Sequence, residues 1–260
     1  MARCLMPCLA AAIWLAGCRA PAEPAIKGAD PRLVRPVLLH RTIAGNSVQN
    51  RPIETIIFGS GPDVVLIMAA IHGNEPAGAP LAEMLADHLN RNPGLLTGKT
   101  VVIMPLANPD GRTANTRANA RGVDLNRNFA AANRQNIPEN GLFALSEPES
   151  RTISHILSLY QPDRIVSIHQ PLTCIDYDGP GGQLARHMAA HCDLPVRRLG
   201  ARPGSLGAFA GETLNIPIVT LELKPNDHAL ARTQLWDHYG AALVAAITFP
   251  RSASAQLGEK

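Results

Sequence analysis

The chain has 260 residues, of which 46% are hydrophobic and only 4% aromatic, enough for one substantial core of aliphatic side chains. Its formal net charge is +3, and the sequence contains no long block of Lys or Arg. The composition therefore argues against a nucleic-acid partner. Length and composition therefore favour a single α/β domain.

The segment 1–18 is predicted to be an export signal. Arg3 supplies a positive start, and the apolar run that follows is too short for a helix to cross a membrane core of about 30 Å. The run ends in Leu-Ala-Gly-Cys, which resembles the lipobox of bacterial lipoproteins and makes Cys18 the predicted lipidation site. An ordinary signal peptide and a start codon placed too early are the alternatives. Because Arg19 rather than Asp follows the cysteine, we expect a periplasmic, lipid-anchored protein at the outer membrane.

Beyond the signal, composition divides the chain into three further parts. Residues 19–36 are rich in Pro and are predicted to form an extended tether. Residues 37–250 form the predicted catalytic domain, and 251–260 a flexible tail. Cys174 and Cys192 are the two cysteines of the predicted domain, and the sequence leaves open whether they pair.

Apolar runs and amphipathic stretches alternate through the predicted domain. Short runs bounded by Gly, Pro or Asp predict strands at 53–58, 64–71, 100–104, 164–168 and 218–223. Amphipathic spacing predicts helices at 77–91, 147–160, 181–191 and 228–248. This alternation indicates one mixed, mostly parallel twisted sheet with helices on both faces. Ligands of such sheets bind beyond the carboxyl ends of the strands.

The first chemical feature is a His-Gly-Asn-Glu segment directly after the predicted strand 64–71. His72 and Glu75 lie three residues apart, so their side chains can converge on one metal ion. A helix-capping Glu beside a loop His is the alternative, because the His-x-x-Glu pattern alone is common. Position at a strand end favours the metal.

Two further residues lie at or within predicted strands. His169 follows the run 164–168 and could supply a third zinc ligand, which leaves the fourth tetrahedral position open as a catalytic site requires. Glu222 lies inside an apolar run, where a carboxylate is costly to bury without a metal, a positive charge or a cleft. A structural His and a salt-bridged edge-strand Glu are the alternatives.

A polar stretch between these residues could bind an anionic group. Asn126 and Arg127 are adjacent, and a guanidinium beside an amide is suited to gripping a carboxylate. Taken singly, Arg127 could equally be a surface ion pair.

Together these motifs resemble the zinc carboxypeptidase family, also called funnelins. The His-x-x-Glu, the Asn-Pro-Asp-Gly at 108–111, the Asp-Leu-Asn-Arg-Asn-Phe at 124–129, the late His and the Thr-Leu-Glu-Leu at 220–223 follow the family's order. The resemblance implies a zinc metallopeptidase or amidase with one Zn²⁺ held by three residues and with four further site residues. It assigns the metal to His72, Glu75 and His169, the general base to Glu222, carbonyl polarisation to Arg117, and substrate carboxylate binding to Asn126 and Arg127.

Within that family the segments at 174–180, 202–207 and 216–222 look most like those of the murein peptide amidases. This implies hydrolysis of the γ-D-glutamyl-meso-diaminopimelate bond in a peptidoglycan-derived tripeptide. We further hypothesise that Asp176 or Asp178 pairs with the distal ammonium of diaminopimelate. The stretch 200–207 holds no Tyr where digestive carboxypeptidases carry their substrate-capping tyrosine, which disfavours general carboxypeptidase activity.

Three other interpretations remain open from the sequence. An N-acyl amino-acid deacylase of the aspartoacylase type shares the His-Gly-Asn-Glu and Asp-Leu-Asn-Arg motifs, although predicted export argues against a cytosolic metabolite enzyme. A cell-wall-binding lipoprotein without activity is the non-enzyme alternative. A second metal site at His187 and His191 has helical spacing but lacks the Glu of a metalloprotease helix.

Overall fold

A computed structural model describes residues 38–251 of the chain. The predictions for the export signal 1–18 with Cys18, for the tether 19–36 and for residues 252–260 of the tail lie outside the described residues.

One mixed sheet organises the described part of the chain. Its seven strands are β1 (Leu38–Asn46), β2 (Pro52–Gly59), β3 (Asp63–Ala69), β4 (Lys99–Met104), β5 (Arg164–His169), β6 (Cys174–Asp178) and β7 (Ile218–Glu222), in the order β1-β2-β4-β3-β5-β7-β6. The four central strands β4, β3, β5 and β7 run parallel, whereas β1, β2 and β6 pair antiparallel at the two sides. The carboxyl ends of β3, β5 and β7 therefore meet at one edge of the sheet.

Helices cover both faces of this sheet. They are α1 (Gly78–Arg91), α2 (Pro109–Ala114), α3 (Pro148–Tyr160), α4 (Gly182–Ala189) and α5 (Arg232–Thr248). On one face α1, α4 and α5 share a core with the strands, and α1 buries Leu81, Leu85 and Leu89, which recur every four residues along one side of the helix. On the other face α3 buries Ile153 and Ile156 against a second set of strand side chains. The predicted mixed sheet with helices on both faces is confirmed.

The structure corrects several predicted boundaries. The strand predicted at 64–71 ends at Ala69, because Ala70 adopts a left-handed backbone with φ 53° that turns the chain out of the sheet. The last helix begins at Arg232 rather than 228, after a short 3₁₀ turn and an extended N-cap. Strands β1 and β6 were not predicted, since polar and charged residues interrupt their apolar pattern. Parallel pairing is confined to the four central strands, so "mostly parallel" holds only for the middle of the sheet.

The two cysteines left open by the sequence are both free thiols, Cys174 buried on β6 and Cys192 partly exposed after α4. Between residues 38 and 251, no helix combines the length and the apolar character needed to cross a bilayer.

Candidate metal centre and cleft

Three side chains from different parts of the sequence converge at the carboxyl edge of the sheet. His72 Nδ1 lies 2.7 Å from Glu75 Oε1, and His169 Nδ1 lies 2.9 Å from Glu75 Oε2 and 3.2 Å from His72 Nδ1. All three residues are buried, and one ligand atom from each lies within 4.8 Å of the other two. In the described part of the chain this is the one group of three or more His, Cys, Asp or Glu residues that could hold a metal ion.

The chemistry of these donors fits zinc. Two imidazoles and one carboxylate are a known ligand set of catalytic zinc sites, in which the fourth position stays open. Two ring nitrogens facing each other across one carboxylate also form a compact, polar and buried space that a cation suits better than an apolar ligand. The residues therefore fit the metal that the sequence predicts.

A close backbone contact positions the His72 turn. Gly73 lies against the Gly111 backbone so closely that any Cβ at Gly73 would collide with it. The Asn108 side chain also donates a hydrogen bond to the Ile71 carbonyl, at 3.2 Å. The Asn-Pro-Asp-Gly motif thus serves as the support on which the His-Gly-Asn-Glu turn rests.

Asp124 is a site residue to which sequence reasoning gave no role. Its Oδ1 accepts a 3.1 Å hydrogen bond from His72 Nε2 in the tautomer whose Nδ1 lone pair is free to bind a metal ion. Burial alone would raise the pKa of Asp124, but the hydrogen bond from His72 and the nearby Arg117 and Arg127 charges lower it. The sequence feature that could have identified Asp124 is its place as the first residue of the Asp-Leu-Asn-Arg motif.

Gln170 connects three parts of the site. Its backbone N–H donates to Glu75 Oε2 at 3.2 Å, and its side-chain oxygen accepts from Ala77 N, at the start of α1, at 3.0 Å. Its side-chain amide donates to the Lys224 carbonyl, just beyond β7, at 3.1 Å. Through its backbone N–H and its buried side chain together, Gln170 links a metal-site carboxylate to the start of α1 and to the chain just beyond the strand that carries Glu222.

Glu222 ends β7 and lies opposite His169 of β5 in the strand register. Its Oε2 accepts a 3.2 Å hydrogen bond from Leu172 N. Burial raises the pKa of Glu222, and the Glu75 carboxylate adds to this effect, while His169 and the Leu172 N–H oppose it. A carboxylate with a raised pKa beside a metal site is suited to accepting a proton and later returning it.

The three predicted polar residues also reach this region, with different environments. Arg117 is 46% exposed at its side chain, and its Nε donates to Asp124 Oδ2 at 2.9 Å while its guanidinium lies 3.5 Å from Glu75 Oε1. Asn126 accepts a 2.8 Å hydrogen bond from Leu206 N through its side-chain oxygen. Burial lowers the pKa of Arg127, although Asp124 opposes this.

A cleft of about 470 Å³ contains all seven predicted site residues of the domain. Its walls include the metal group, Glu222, Arg117, Asn126 and Arg127, and further along Asp176, Asp178, Arg202 and Gly207. None of the residues lining this cleft is Tyr.

The alternative histidine pair stands apart from this cleft. The rings of His187 and His191 lie 5.5 Å apart, on the surface groove that also contains His88 and Trp236. The pair belongs to no group of three metal-binding side chains within the residues that the structure describes.

The fold and the site place the chain in a known class. A family model for zinc carboxypeptidases matches residues 31–178, more than half of the chain. The chain therefore belongs to the zinc carboxypeptidase family, and the prediction of a zinc hydrolase is confirmed at that level.

The relatives narrow the class further. Murein peptide amidase A of Escherichia coli is 34% identical over 178 residues, which cover 62% of this chain and 71% of that protein. Murein peptide amidase A of Vibrio campbellii is 31% identical over 186 residues, which cover 62% of this chain and 69% of that protein. The crystal structure of murein-tripeptide amidase from Escherichia coli superposes with a TM-score of 0.62 at 26% identity, covering 82% of this chain and 94% of that one.

Proposed function

We propose that this chain is a zinc-dependent amidase that hydrolyses the γ-D-glutamyl-meso-diaminopimelate bond in murein tripeptide. The observation that carries the proposal is the buried group of His72, Glu75 and His169 beside Glu222 in one cleft. Its similarity to proteins named murein peptide amidase supplies the substrate class.

In this proposal His72, Glu75 and His169 hold one zinc ion. When bound, zinc supplies Lewis acidity, which makes water a stronger nucleophile near neutral pH and polarises an amide carbonyl. Asp124 holds the His72 ring in the orientation that ligation needs, because it accepts the hydrogen bond from the opposite ring nitrogen.

The remaining residues move protons and hold the substrate. Glu222 accepts the proton of the attacking water and then delivers it to the departing amine, for which its raised pKa is suited. Arg117, exposed at the cleft, donates to the carbonyl oxygen as negative charge develops on it. Asn126 and Arg127 bind the α-carboxylate of the leaving diaminopimelate, since a guanidinium can bind a carboxylate through two parallel hydrogen bonds.

The alternatives find less support in the cleft. General metallocarboxypeptidase action is disfavoured because no tyrosine lines the cleft where residues 200–207 contribute. An N-acyl amino-acid deacylase would act on cytosolic metabolites, whereas we propose that export and lipidation at Cys18 bring this chain to the periplasmic side of the outer membrane. A binding protein without activity would have no use for a buried base next to a metal group.

The proposed function is tested with the full chain purified in detergent and loaded with zinc. We incubate it with L-alanyl-γ-D-glutamyl-meso-diaminopimelate and its muramyl form, with and without chelator, and identify the products by mass spectrometry. We expect free diaminopimelate, lost with chelator and reduced about 10²- to 10⁴-fold in Glu222→Gln.

The matched control is Glu139→Gln, which changes an exposed glutamate and should leave the rate unchanged. Zinc content measured for both variants separates loss of the base from loss of the metal. A zinc-loaded wild-type chain that cleaves neither wall peptide would overturn the proposal.

A further inference from the structure

The far end of the cleft carries two carboxylates on the edge strand β6. Asp176 and Asp178 are alternate residues, so their side chains lie on the same face of the strand. Both line the cleft, and both are buried, with exposed fractions of 7% and 6%. Two buried acids side by side in a cleft call for an explanation, because burying a charge without a partner is costly.

Their hydrogen-bond partners differ. Asp176 Oδ1 accepts a 2.8 Å hydrogen bond from Leu199 N, so it fixes the loop that follows β6 and α4. The Asp178 carboxylate has neither a hydrogen-bond partner nor an ion-pair partner among residues 38–251. The Asp178 carboxylate therefore has both oxygens free to meet a ligand, whereas one oxygen of Asp176 already binds Leu199 N.

The surroundings of Asp178 are negative rather than neutralising. Burial raises its pKa, and the Asp176 and Glu212 carboxylates raise it further, to about 6, with only Arg198 opposing. A cation bound at this place would relieve that repulsion and supply the missing partner.

Gly207 creates the space in which this carboxylate lies. Any Cβ at Gly207 would collide with Asp178 Oδ2, so every other residue type would displace the carboxylate. The Asp178 side chain thus occupies the position in the cleft wall that a larger residue at 207 would fill.

The distance from the reacting centre indicates which part of a substrate reaches Asp178. Asp178 pairs with Ile218, four residues before Glu222 on β7, which corresponds to about 13 Å along the strand at about 3.3 Å per residue. In the proposed function the backbone of the leaving residue lies near Glu222, so only the end of a long leaving side chain can approach Asp178.

We propose that Asp178 binds an ammonium group at the distal end of the leaving residue's side chain and thereby selects diaminopimelate over a residue of equal length without that ammonium. The inference rests on the proposed function. A charge-assisted hydrogen bond from the ammonium to Asp178 provides the selection, whereas Asp176 binds the Leu199 backbone.

The experiment compares two tripeptides that differ only at the distal ammonium, L-alanyl-γ-D-glutamyl-meso-diaminopimelate and its analogue ending in L-2-aminopimelate. We measure kcat/KM for both with the wild type, Asp178→Asn and the matched control Asp176→Asn. We expect Asp178→Asn to lower the preference for diaminopimelate about 10- to 100-fold, the range of a lost hydrogen bond to a charged group. Asp176→Asn should retain the preference.

A second variant and a binding measurement keep the test decisive. Gly207→Ala displaces the same carboxylate without removing it and should reduce the preference in the same direction. Calorimetry with free meso-diaminopimelate and free 2-aminopimelate should show the same loss of discrimination without any turnover. An unchanged preference in both variants, with an active wild type, overturns the role of Asp178 alone. A wild type that cleaves neither tripeptide overturns the proposed function, and equal calorimetric affinity for the two free acids then overturns the ammonium site as well.

Discussion

The buried carboxylates at the two ends of the cleft have opposite electrostatic environments. At the metal end Glu75 has a histidine on each carboxylate oxygen, His72 and His169, and its pKa falls to about 2 because these charges outweigh burial. At the far end the Asp178 carboxylate lies near two like charges, Asp176 and Glu212, with only Arg198 opposing them, and it has no hydrogen-bond or ion-pair partner among the described residues. The first end is organised by its own side chains, whereas the second is complete only with a cation from outside.

The metal end should be the more sensitive of the two. His169→Ala removes one of three ligand atoms, so we expect zinc content well below one ion per chain and loss of measurable activity. Metal analysis after dialysis, together with the tripeptide assay, measures both. His155→Ala, an exposed position on α3, is the matched control. Full zinc occupancy in His169→Ala would remove His169 from the ligand set.

Substitution of a residue that orients a zinc ligand should weaken zinc binding less than substitution of the ligand itself. Asp124→Asn replaces the charged acceptor of the His72 Nε2 hydrogen bond, so we expect zinc affinity to fall about 10- to 100-fold. Competition with a chromophoric chelator measures the affinity directly. Asp87→Asn, an exposed carboxylate on α1, should leave it unchanged. Equal affinity for wild type and Asp124→Asn would mean that His72 needs no such orientation.

Substitution of Gln170, which links the start of α1 to the chain beyond β7, should mainly lower the stability of the fold. Gln170→Leu leaves the Ala77 N–H and the Lys224 carbonyl without their partner, so the free energy of unfolding should fall by about 1–3 kcal/mol. Urea denaturation of the zinc-free chain measures this, with the exposed Gln183→Leu on α4 as control. If the two variants unfold alike, Gln170 is not a structural bridge.

The effect of Asp178 on folding stability should depend on pH, because its carboxylate has no partner that stabilises the charged form. The pKa of Asp178 is raised to about 6, so its contribution to folding stability is complete below about pH 4 and is lost as pH rises through 6. Asp178→Asn should therefore be more stable than the wild type at pH 7 by about 1 kcal/mol, reduced by solvent in the cleft, and equal to it at pH 4.

Thermal unfolding of the zinc-free chain at both pH values measures this difference. Asp237→Asn, an exposed residue of α5, should show no such pH-dependent gain. A variant less stable than the wild type at pH 7 would show that Asp178 has a stabilising partner after all.

The sequence predicted the metal group better than its surroundings, and the reason is topological. His72, His169 and Glu222 follow or end strands whose apolar runs are clear, and parallel neighbours bring their carboxyl ends together whatever the loops do. Asp124 could not be assigned in the same way, because its contact with His72 spans 52 residues and depends on loop conformation.

The same limit applies to the far end. The sequence offered Asp176 and Asp178 as equals, since alternate residues on one strand share a face. The Leu199 backbone at Asp176 and the close approach of Gly207 to Asp178 distinguish them, and both are properties of the folded loops. The polar edge strand itself was not predicted, because its pattern lacks continuous apolar character.

The collision between a Cβ at Gly207 and the Asp178 carboxylate links two positions that are distant in the sequence. An evolving lineage cannot enlarge the first side chain and keep the second in place, so the two sites should change together or not at all. Relatives with Gly and Asp at these positions should then prefer substrates whose leaving residue has a charged group at the end of its side chain. Relatives in which both residues are replaced should act on substrates with other leaving residues.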